Sequence, residues 1–501
     1  MVGSQVFSIP SPLFCGRVIR GFGGSLKVSY IVWIDNALCD HACMDWMPTI
    51  SDRGGPVYLR IVAALADDIA SGRLHQGQAL PTHRMLAAAL GIDLTTATRA
   101  YSEARRQGLT EARVGRGTFV KAGDPPAARQ VVAPGIDLSM NIPPQPAEAD
   151  LAAQLAKTFG ELRSGGRIQT YLNYQQPGGT RGERVIATDW LRSLVPNVSA
   201  DRLVLAPGTQ SALFSLLLMH AARGESIFTE ALTYPGLKSA AAALGINLIG
   251  VDMDRDGIKP DSLERACRKH SKVRLIYLMP TMHNPTTATI PVKRREELAR
   301  IIAARGLTLI EDDPYAFLTS GITPFATLIP ERTYLAASLS KSVTPGLRVS
   351  LVVSPNQEEA ARLTNCLRAS LQMSVPLTLA VAARWMSDGT AASIIAAVAN
   401  EAAARQRLAS KALLGHAFAA HPSGHHLWLT LPSPWSSAEF AAHLQRRGLG
   451  VVAAASFSTS DNPPDCIRVA LGAAPSRSTL VKALEILAQS LGTDLDTEHL
   501  V

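Results

Sequence analysis

The sequence is poor in cysteine, in charged residues and in long apolar runs, and each shortage narrows the class of protein. Its six cysteines are scattered over 501 residues, so we expect no disulfide framework and a reducing, cytoplasmic environment. No uncharged apolar run reaches the roughly 18 residues of a membrane-spanning helix. Charged residues make up 18% and hydrophobic residues 47%, which is typical of folded globular chains.

Lysine is missing from a stretch in which arginine is frequent. Between Ser51 and Val120 there are nine Arg, no Lys and six Asp or Glu, an excess of three positive charges. Guanidinium groups suit both phosphate contacts and the readout of base edges. The net charge of +8 for the whole chain permits nucleic-acid binding without demonstrating it, because many enzymes are mildly basic.

The first 45 residues lack the periodicity of the rest of the chain. Their short apolar stretches are interrupted by basic residues, and no signal-peptide cleavage pattern follows. We expect residues 1–45 to be a poorly ordered extension, with a natural start near Met44 or Met47 as the alternative. One Cys-His-Cys cluster in this stretch offers three ligands where zinc needs about four, so no metal site is predicted.

A proline-rich stretch separates two regions of different periodicity. Residues 46–122 combine helical patterns with a short hairpin, and residues 123–136, with three Pro and two Gly, predict an extended linker. Residues 137–495 alternate β-branched runs with Ala- and Leu-rich helical stretches. This alternation is typical of βαβ units and predicts an α/β domain with a large, mostly parallel sheet and a small C-terminal α/β subdomain.

Residues 46–122 show the pattern of a winged helix-turn-helix. Apolar residues at helical spacing from Val57 to Ile69 predict a first helix. Thr82 is placed to cap a short second helix, and Asp93 to cap a third over residues 94–107, with a glycine turn between them. The third helix would enter the major groove of DNA by its N-terminal end.

Two short strands around Gly115-Arg116-Gly117 would form the wing, with Arg116 at its tip. A small helical domain with a hairpin and no DNA partner is the alternative that this pattern leaves open.

Residues 57–120 resemble the GntR family of winged helix-turn-helix regulators. The resemblance is carried by Leu80-Pro81-Thr82 with Arg84, Leu86-Ala87, Leu90-Gly91, Thr95-Thr96, Ala100-Tyr101, Gly108-Leu109 and Gly115-Arg116-Gly117-Thr118-Phe119-Val120. It implies binding to double-stranded DNA through Arg84, Thr95, Thr96, Arg99 and Arg116. Leu94 stands where that family often has an arginine, and it would either face a thymine methyl group or pack within the domain.

The C-terminal region offers the groups that pyridoxal phosphate chemistry requires. That cofactor needs a lysine for a Schiff base, an acid beside its pyridine nitrogen, and a helix N-terminus with hydroxyls and an arginine for its phosphate. Lys341 lies among Ser338, Ser340 and Arg348. Asp312 ends the apolar run LTLIED, where α/β sheets place ligand-contacting residues. Taken alone, each has an ordinary explanation, namely a solvated lysine and a charged loop.

Four further residues follow strand-like runs. Gly208, Thr209 and Gln210 come after RLVLA and open a helical pattern, which makes a generic anion site or an ordinary helix cap. Asn284 precedes a proline, where an Asx turn is the alternative to a role as hydrogen-bond donor.

Two side chains could contact the cofactor ring and a substrate. Tyr234 precedes Pro-Gly and could stack on the ring or simply belong to a turn. Arg468, on a late strand, could clamp a substrate carboxylate or pair with a nearby acid.

In their order along the chain these residues resemble the fold-type I aminotransferase family, from about residue 137 to residue 490. The resemblance implies the Schiff-base lysine in Lys341, the partner of the pyridine nitrogen in Asp312, partners of the ring hydroxyl in Tyr315 and Asn284, phosphate ligands in Thr209, Gln210, Ser338 and Arg348, a stacking ring in Tyr234 and a carboxylate-binding group in Arg468. The sequence HNPTTAT has Thr287 where many members have glycine, which we expect to alter a turn.

A GntR-like domain, a linker and an aminotransferase-like domain in one chain resemble the MocR-type regulators. This resemblance implies a homodimer that binds DNA and senses pyridoxal phosphate, or an amino acid or amine. An active aminotransferase with a fused DNA-binding domain is the alternative, because every catalytic position named above is filled. A structural protein with a decayed site is a third reading, against which Lys341, Asp312 and Arg348 argue.

Overall fold

The structure is a computed structural model, and it describes residues 46–48, 56–70, 73–75, 77–106, 109–113, 117–120, 135–166, 168–319 and 321–492. They form two compact units, which divide between Val131 and Val132. The predicted extension 1–45, most of the linker 123–136 and Arg116 lie outside the described residues. Within the described ranges, no helix is both long enough and apolar enough to cross a bilayer.

The first unit contains three helices and a two-stranded hairpin, as the sequence predicted. These elements are α1 (Val57–Ala70), α2 (His83–Leu90), α3 (Leu94–Arg106), β1 (Thr110–Arg113) and β2 (Gly117–Val120), and the two strands pair antiparallel. Thr82 caps α2 by accepting a hydrogen bond from the backbone N–H of Met85 at 3.3 Å. Gly91, at φ 62°, makes the tight turn into α3, a left-handed conformation that favours glycine.

The strands of the second unit are β3 (Ile136–Asp137), β4 (Leu203–Ala206), β5 (Ser226–Glu230), β6 (Asn247–Val251), β7 (Met253–Asp254), β8 (Gly257–Ile258), β9 (Leu275–Leu278), β10 (Thr308–Asp313), β11 (Thr333–Ser338), β12 (Ser350–Val353), β13 (Phe418–Ala420), β14 (Leu427–Thr430), β15 (Leu449–Gly450), β16 (Val452–Ala453) and β17 (Cys466–Val469).

Its α-helices are α4 (Leu151–Ser164), α5 (Ile168–Tyr171), α6 (Arg181–Leu191), α7 (Thr209–His220), α8 (Pro235–Leu244), α9 (Pro260–Lys269), α10 (Val292–Ala304), α11 (Phe325–Leu328), α12 (Gln357–Leu371), α13 (Pro376–Ser387), α14 (Thr390–Ala412), α15 (Ser437–Arg446) and α16 (Arg477–Leu491). Short 3₁₀ helices span Ala147–Ala149, Ala316–Leu318, Pro330–Arg332, Pro345–Leu347, Ala454–Ser456 and Leu471–Ala473.

A seven-stranded sheet in the order β4-β12-β11-β10-β9-β5-β6 forms the centre of the second unit. β12 runs antiparallel to both of its neighbours, and the other pairs in this sheet are parallel, so the predicted mostly parallel sheet is confirmed. Strands such as β4, β9 and β11 are buried at every residue, because helices cover both faces of the sheet. The carboxyl ends of the six parallel strands therefore open onto one common edge.

A smaller antiparallel sheet in the order β13-β14-β17-β16 forms the predicted C-terminal subdomain. Its core is built with residues of α14, α15 and α16, including the buried Leu427, Phe440 and Leu484. The short strand β3 joins this subdomain by pairing in parallel with β15. The first described residues of the second unit are thereby attached to the small subdomain.

Candidate functional site

Lys341 lies three residues beyond β11, at the carboxyl edge of the large sheet. Burial, with the charges of Arg468 and Arg348, lowers the pKa of its amine to about 8, and the charge of Asp312 opposes this decrease. The structure therefore brings these four predicted residues within electrostatic reach of one another, although they come from distant parts of the sequence. A depressed pKa makes Lys341 a better nucleophile at neutral pH than a solvated lysine.

Asp312 is buried near the end of β10 and has one carboxylate oxygen without a partner. Tyr277 donates a hydrogen bond to its Oδ2 at 2.7 Å, whereas Oδ1 has no hydrogen-bond partner among the residues that the structure describes. Burial, with the charge of Asp313, raises the pKa of this carboxyl to about 7, while the hydrogen bond from Tyr277 and the charge of Lys341 oppose the increase. A buried acceptor of this kind is suited to a cationic N–H donor.

The turn into α7 holds an arginine against the N-terminus of that helix. Gly208 adopts φ 90°, and a Cβ atom at this position would lie 2.5 Å from Nη2 of Arg348, so glycine is required for the close approach. Arg348 itself adopts a left-handed conformation at φ 51°. A guanidinium beside a helix N-terminus is an anion site by both charge and dipole.

The other predicted phosphate ligands are engaged in local hydrogen bonds. Thr209 Oγ1 donates to Ser350 Oγ at 3.3 Å, and Gln210 Nε2 donates to the carbonyl of Gly236 at 2.9 Å. The Ser338 and Ser340 hydroxyls bond one another at 2.9 Å. The Gln210 Oε1 atom is buried and has no partner within the described ranges.

These features fit pyridoxal phosphate. The cofactor presents an aldehyde for an amine, a pyridine nitrogen for a carboxylate and a phosphate for an anion site. Lys341, the unpartnered oxygen of Asp312, and the cradle of Gly208 and Arg348 match these three needs.

Arg468 of β17 reaches the residue predicted to bind the ring hydroxyl. Its Nη1 donates to Asn284 Oδ1 at 2.8 Å, and its Nη2 donates to the carbonyl of Ser139. No carboxylate of a described residue forms an ion pair with Arg468, so the alternative of pairing with a nearby acid is not what the structure shows. Because an arginine only donates, it orients the Asn284 amide with Nδ2 left as the available donor.

Tyr234 and Tyr315 both lie near this group of charges. Tyr234 precedes α8, and burial raises its pKa, with Asp312 adding to the increase and Arg348 and Arg468 opposing it. The Tyr315 hydroxyl is buried and accepts a hydrogen bond from Asn141 Nδ2 at 2.7 Å. Tyr234, predicted to stack on the ring, and Tyr315, predicted to bond its hydroxyl, thus both lie within electrostatic reach of Asp312 and Arg468.

The loop after β9 corrects one expectation. Thr287 adopts φ 64°, which is the conformation that a glycine would favour, so the threonine occupies the left-handed turn instead of changing it. A β-branched residue in this region costs about 1–2 kcal/mol, which the surrounding contacts must offset.

Two residues of the site, Asn141 and Tyr277, were not predicted from the sequence. Asn141 contacts Tyr315 and lies 3.2 Å from Nδ1 of His426, and its backbone carbonyl accepts a hydrogen bond from Lys341. Tyr277 supports Asp312. The available signal was a tyrosine inside a fully buried strand, since its hydroxyl must find a partner there, whereas Asn141 belongs to no motif that its sequence neighbourhood reveals.

In the first unit, the predicted DNA-contacting residues of α2 and α3 differ in their surroundings. Arg84, Thr95 and Arg99 are exposed, and Thr96 is partly buried. The Arg99 guanidinium lies 4.3 Å from the centre of the Tyr58 ring on α1, and it therefore makes a cation–π contact within the domain. Leu94 is 45% exposed at the start of α3, so packing within the domain does not account for it.

Comparison with known proteins assigns both units to families. The aminotransferase class I and II profile matches residues 133–487, and the profile of bacterial regulatory proteins of the gntR family matches residues 57–120.

Two relatives and one solved structure illustrate the similarity. An uncharacterized HTH-type transcriptional regulator of Bacillus subtilis, YdeF, is 29% identical over 89% of this chain and 97% of its own length. The vitamin B6 salvage pathway transcriptional repressor PtsJ of Salmonella typhimurium is 26% identical over 74% of this chain and 84% of its own. The crystal structure of an archaeal alanine:glyoxylate aminotransferase, 24% identical, superposes with a TM-score of 0.66 over 71% of this chain and 90% of its own, which shows the shared fold.

Proposed function

Because the chain belongs to the aminotransferase class I and II family and joins to it a gntR-family DNA-binding domain, we propose that it is a transcription regulator that responds to pyridoxal phosphate or to an amino acid or amine. The observation that carries the proposal is the convergence of Lys341, Asp312 and Arg348 at one sheet edge, in a chain that also holds a helix-turn-helix. The relatives YdeF and PtsJ, both named as transcriptional regulators, support the same reading.

We propose that pyridoxal phosphate is held by the residues of the sheet edge. Lys341 would bond the cofactor, Asp312 would pair with its ring nitrogen, and Gly208 and Arg348 would hold the phosphate together with Thr209, Gln210, Ser338 and Ser340. When bound, the cofactor would supply an aldehyde to which amines can bond and a ring that withdraws electrons from them. The protein's own contribution is to keep Lys341 partly neutral and Asp312 ready to accept a proton-bearing donor. Tyr234 would stack on the cofactor ring, and Tyr315 and Asn284 would bond its hydroxyl.

The proposed effector carries an amine and a carboxylate. Arg468 is a buried guanidinium whose acceptors are neutral oxygens, those of Asn284 and Ser139. A carboxylate would replace such neutral acceptors favourably, because charge-assisted hydrogen bonds are roughly twice as strong as neutral ones. A ligand shifts DNA affinity only if it binds two conformations of the protein differently, and ligand binding at this site is the event we propose to do so.

We further propose a homodimer acting in the cytoplasm. Leu172 and Tyr174, beyond α5, are 62% and 82% exposed, and Leu371 and Val375 near the end of α12 are also exposed. The backbone N–H of Gln175 donates to the Met373 sulfur, which brings the two segments together. Exposed apolar side chains clustered in this way are typical of surfaces that pair with a partner. Two copies would also present two recognition helices to paired DNA half-sites.

The test is binding of the purified protein to DNA from around its own gene, with and without pyridoxal phosphate at one stated salt concentration. The salt is held constant because phosphate contacts make affinity strongly salt-dependent. We expect sequence-specific binding whose affinity changes with the cofactor. Identical affinities for wild type and Lys341→Ala, with and without cofactor, would contradict the sensing role. Steady transamination of an amino acid with a keto acid would instead favour an active aminotransferase.

A further inference from the structure

Residues 138–142, here called the strap, contact Lys341 and Arg468 of the proposed cofactor and effector site through their backbone carbonyls. They come immediately after β3, among the first described residues of the second unit, and in sequence they follow residues 121–134, which lie outside the described residues. The strap is therefore the part of the site closest in sequence to the DNA-binding domain.

Both ends of the strap are fixed to the small subdomain. The Leu138 side chain is fully buried, its N–H donates to the Gly450 carbonyl at 2.8 Å, and its carbonyl accepts from Ala470 N–H at 3.0 Å. At the other end the Ile142 carbonyl lies so close to Gly472 that a Cβ atom there would meet it at 2.0 Å. The strap thus spans between two anchors of the same subdomain.

Between these anchors, two of the three cations of the site donate to backbone carbonyls of the strap. Lys341 donates to the carbonyl of Asn141, and Arg468 donates to that of Ser139. Among the described residues no carboxylate forms an ion pair with either cation. The uncharged carbonyls of the strap therefore accept hydrogen bonds from the same two side chains, Lys341 and Arg468, that are proposed to bind the cofactor and the effector carboxylate.

Both proposed ligands would remove these contacts. When the neutral Lys341 amine captures an aldehyde, one C=N bond forms, one water leaves with the carbonyl oxygen and two hydrogens, and Nζ no longer donates as an ammonium group. A carboxylate on Arg468 competes with Ser139 for the same guanidinium N–H groups. Each event would therefore remove one of the two contacts between the strap and these cations.

The Asn141 side chain links the strap to Tyr315 and His426. Its Nδ2 donates to the Tyr315 hydroxyl at 2.7 Å and lies 3.2 Å from Nδ1 of His426. Nε2 of His426 lies 3.2 Å from the carbonyl of His283, which requires Nε2 to carry the proton and leaves Nδ1 as an acceptor. Burial keeps the pKa of His426 well below its usual value, so the ring remains neutral. Asn141 thus has two correctly paired acceptors.

We propose that Asn141 is a positioning residue through which occupancy of the cofactor site is transmitted, by way of the strap, to the chain leading to the DNA-binding domain. The inference rests on the proposed sensing function and adds the route of the signal. Its distinctive consequence is that loss of the Asn141 side chain separates cofactor binding from the DNA response. A residue with a purely structural role would weaken both or neither.

The first experiment is hydrogen–deuterium exchange of the full-length wild-type protein, with and without saturating pyridoxal phosphate. We expect amide exchange in peptides covering residues 138–142 to become several-fold faster when the cofactor is bound. Unchanged exchange in these peptides at full cofactor loading, verified by the visible absorbance of the protein, would overturn the inference. This measurement needs no variant, so a folding defect cannot obscure it.

The second experiment compares DNA affinities of wild type, Asn141→Ala and the matched control Met140→Ala at equal cofactor occupancy. Met140 is the neighbouring strap residue and is 64% exposed, so its side chain contributes nothing to the anchoring. We expect the cofactor to change the DNA affinity of wild type and of Met140→Ala at least about fivefold. The DNA affinity of Asn141→Ala should change less than about twofold. An equal ratio in Asn141→Ala refutes the route. If wild type binds the cofactor but its DNA affinity does not change, the proposed sensing function is contradicted. In that case the exchange measurement still tests whether cofactor binding loosens the strap.

Discussion

The pKa of Lys341 predicts how fast the protein captures pyridoxal phosphate at different pH values. Burial and the two nearby guanidinium groups lower that pKa from its ordinary 10.5 to about 8. At pH 7 an amine of pKa 8 is neutral in about one molecule in ten, whereas one of pKa 10.5 is neutral in about one in 3,000. Because the neutral amine attacks the aldehyde, the site should capture the cofactor about 300-fold faster at pH 7 than an otherwise equal solvated lysine would.

The sign of the pH dependence follows from the same values. Below pH 8 the neutral fraction, and hence the capture rate, should rise about tenfold per pH unit, and above pH 8 it should level off. The assay is stopped-flow absorbance after mixing cofactor-free protein with pyridoxal phosphate between pH 6 and pH 10. The control Lys272→Ala removes an exposed lysine and should leave the profile unchanged, while Lys341→Ala should abolish the covalent absorbance band. A rate that continues to climb tenfold per unit beyond pH 9 would refute the reasoning.

Three further perturbations test the site, the core and the DNA-binding surface. Asp312→Asn removes the charge proposed to pair with the ring nitrogen. Cofactor affinity, measured by absorbance titration, should fall about 10- to 100-fold, because a hydrogen bond to a charged group contributes about 1.5–3 kcal/mol. An unchanged affinity would show that Asp312 does not bind the cofactor. Arg295→Met leaves Glu311 buried without its cation and should lower the free energy of unfolding by about 3–5 kcal/mol. The adjacent Arg294→Met loses a partly exposed ion pair with an aspartate and should lower it by less than about 1 kcal/mol. Equal shifts in the denaturant midpoints of the two variants would contradict this difference. Arg84→Ala should weaken DNA binding and reduce the slope of log K against log salt by about 0.9, and an unaltered slope would show that Arg84 contacts no phosphate.

Much of the architecture could be predicted because its signals are local. Thr82 and Gly91 mark the ends of α2 through their own backbone and side-chain chemistry, and Pro314 follows the last residue of β10 because proline cannot continue the strand. Alternation of buried strands with helices predicts a parallel sheet, and a parallel sheet places strand carboxyl ends at one edge. For that reason Asp312 could be expected at the ligand-binding edge of the sheet, whereas its nearness to Lys341 was implied by the resemblance to the aminotransferase family.

Pairings across the fold depend on strand register, which no local pattern reveals. Tyr277 reaches Asp312 because Ile310 of β10 lies opposite Tyr277 of β9, and Asp312, two residues further on, points to the same face of the sheet. Arg468 meets Asn284 only because the small subdomain docks on the large sheet.

The sequence by itself determined the two families of domain, the order of their elements and the identity of the chemically reactive groups, since each of these depends on residue type and short-range spacing. Tertiary structure alone decided which groups share hydrogen bonds: Arg468 with Asn284, Asn141 with Tyr315, and the strap with Lys341. The physical reason is that a hydrogen bond requires donor and acceptor within about 3 Å of each other, a distance that chain topology and packing set for residues far apart in sequence.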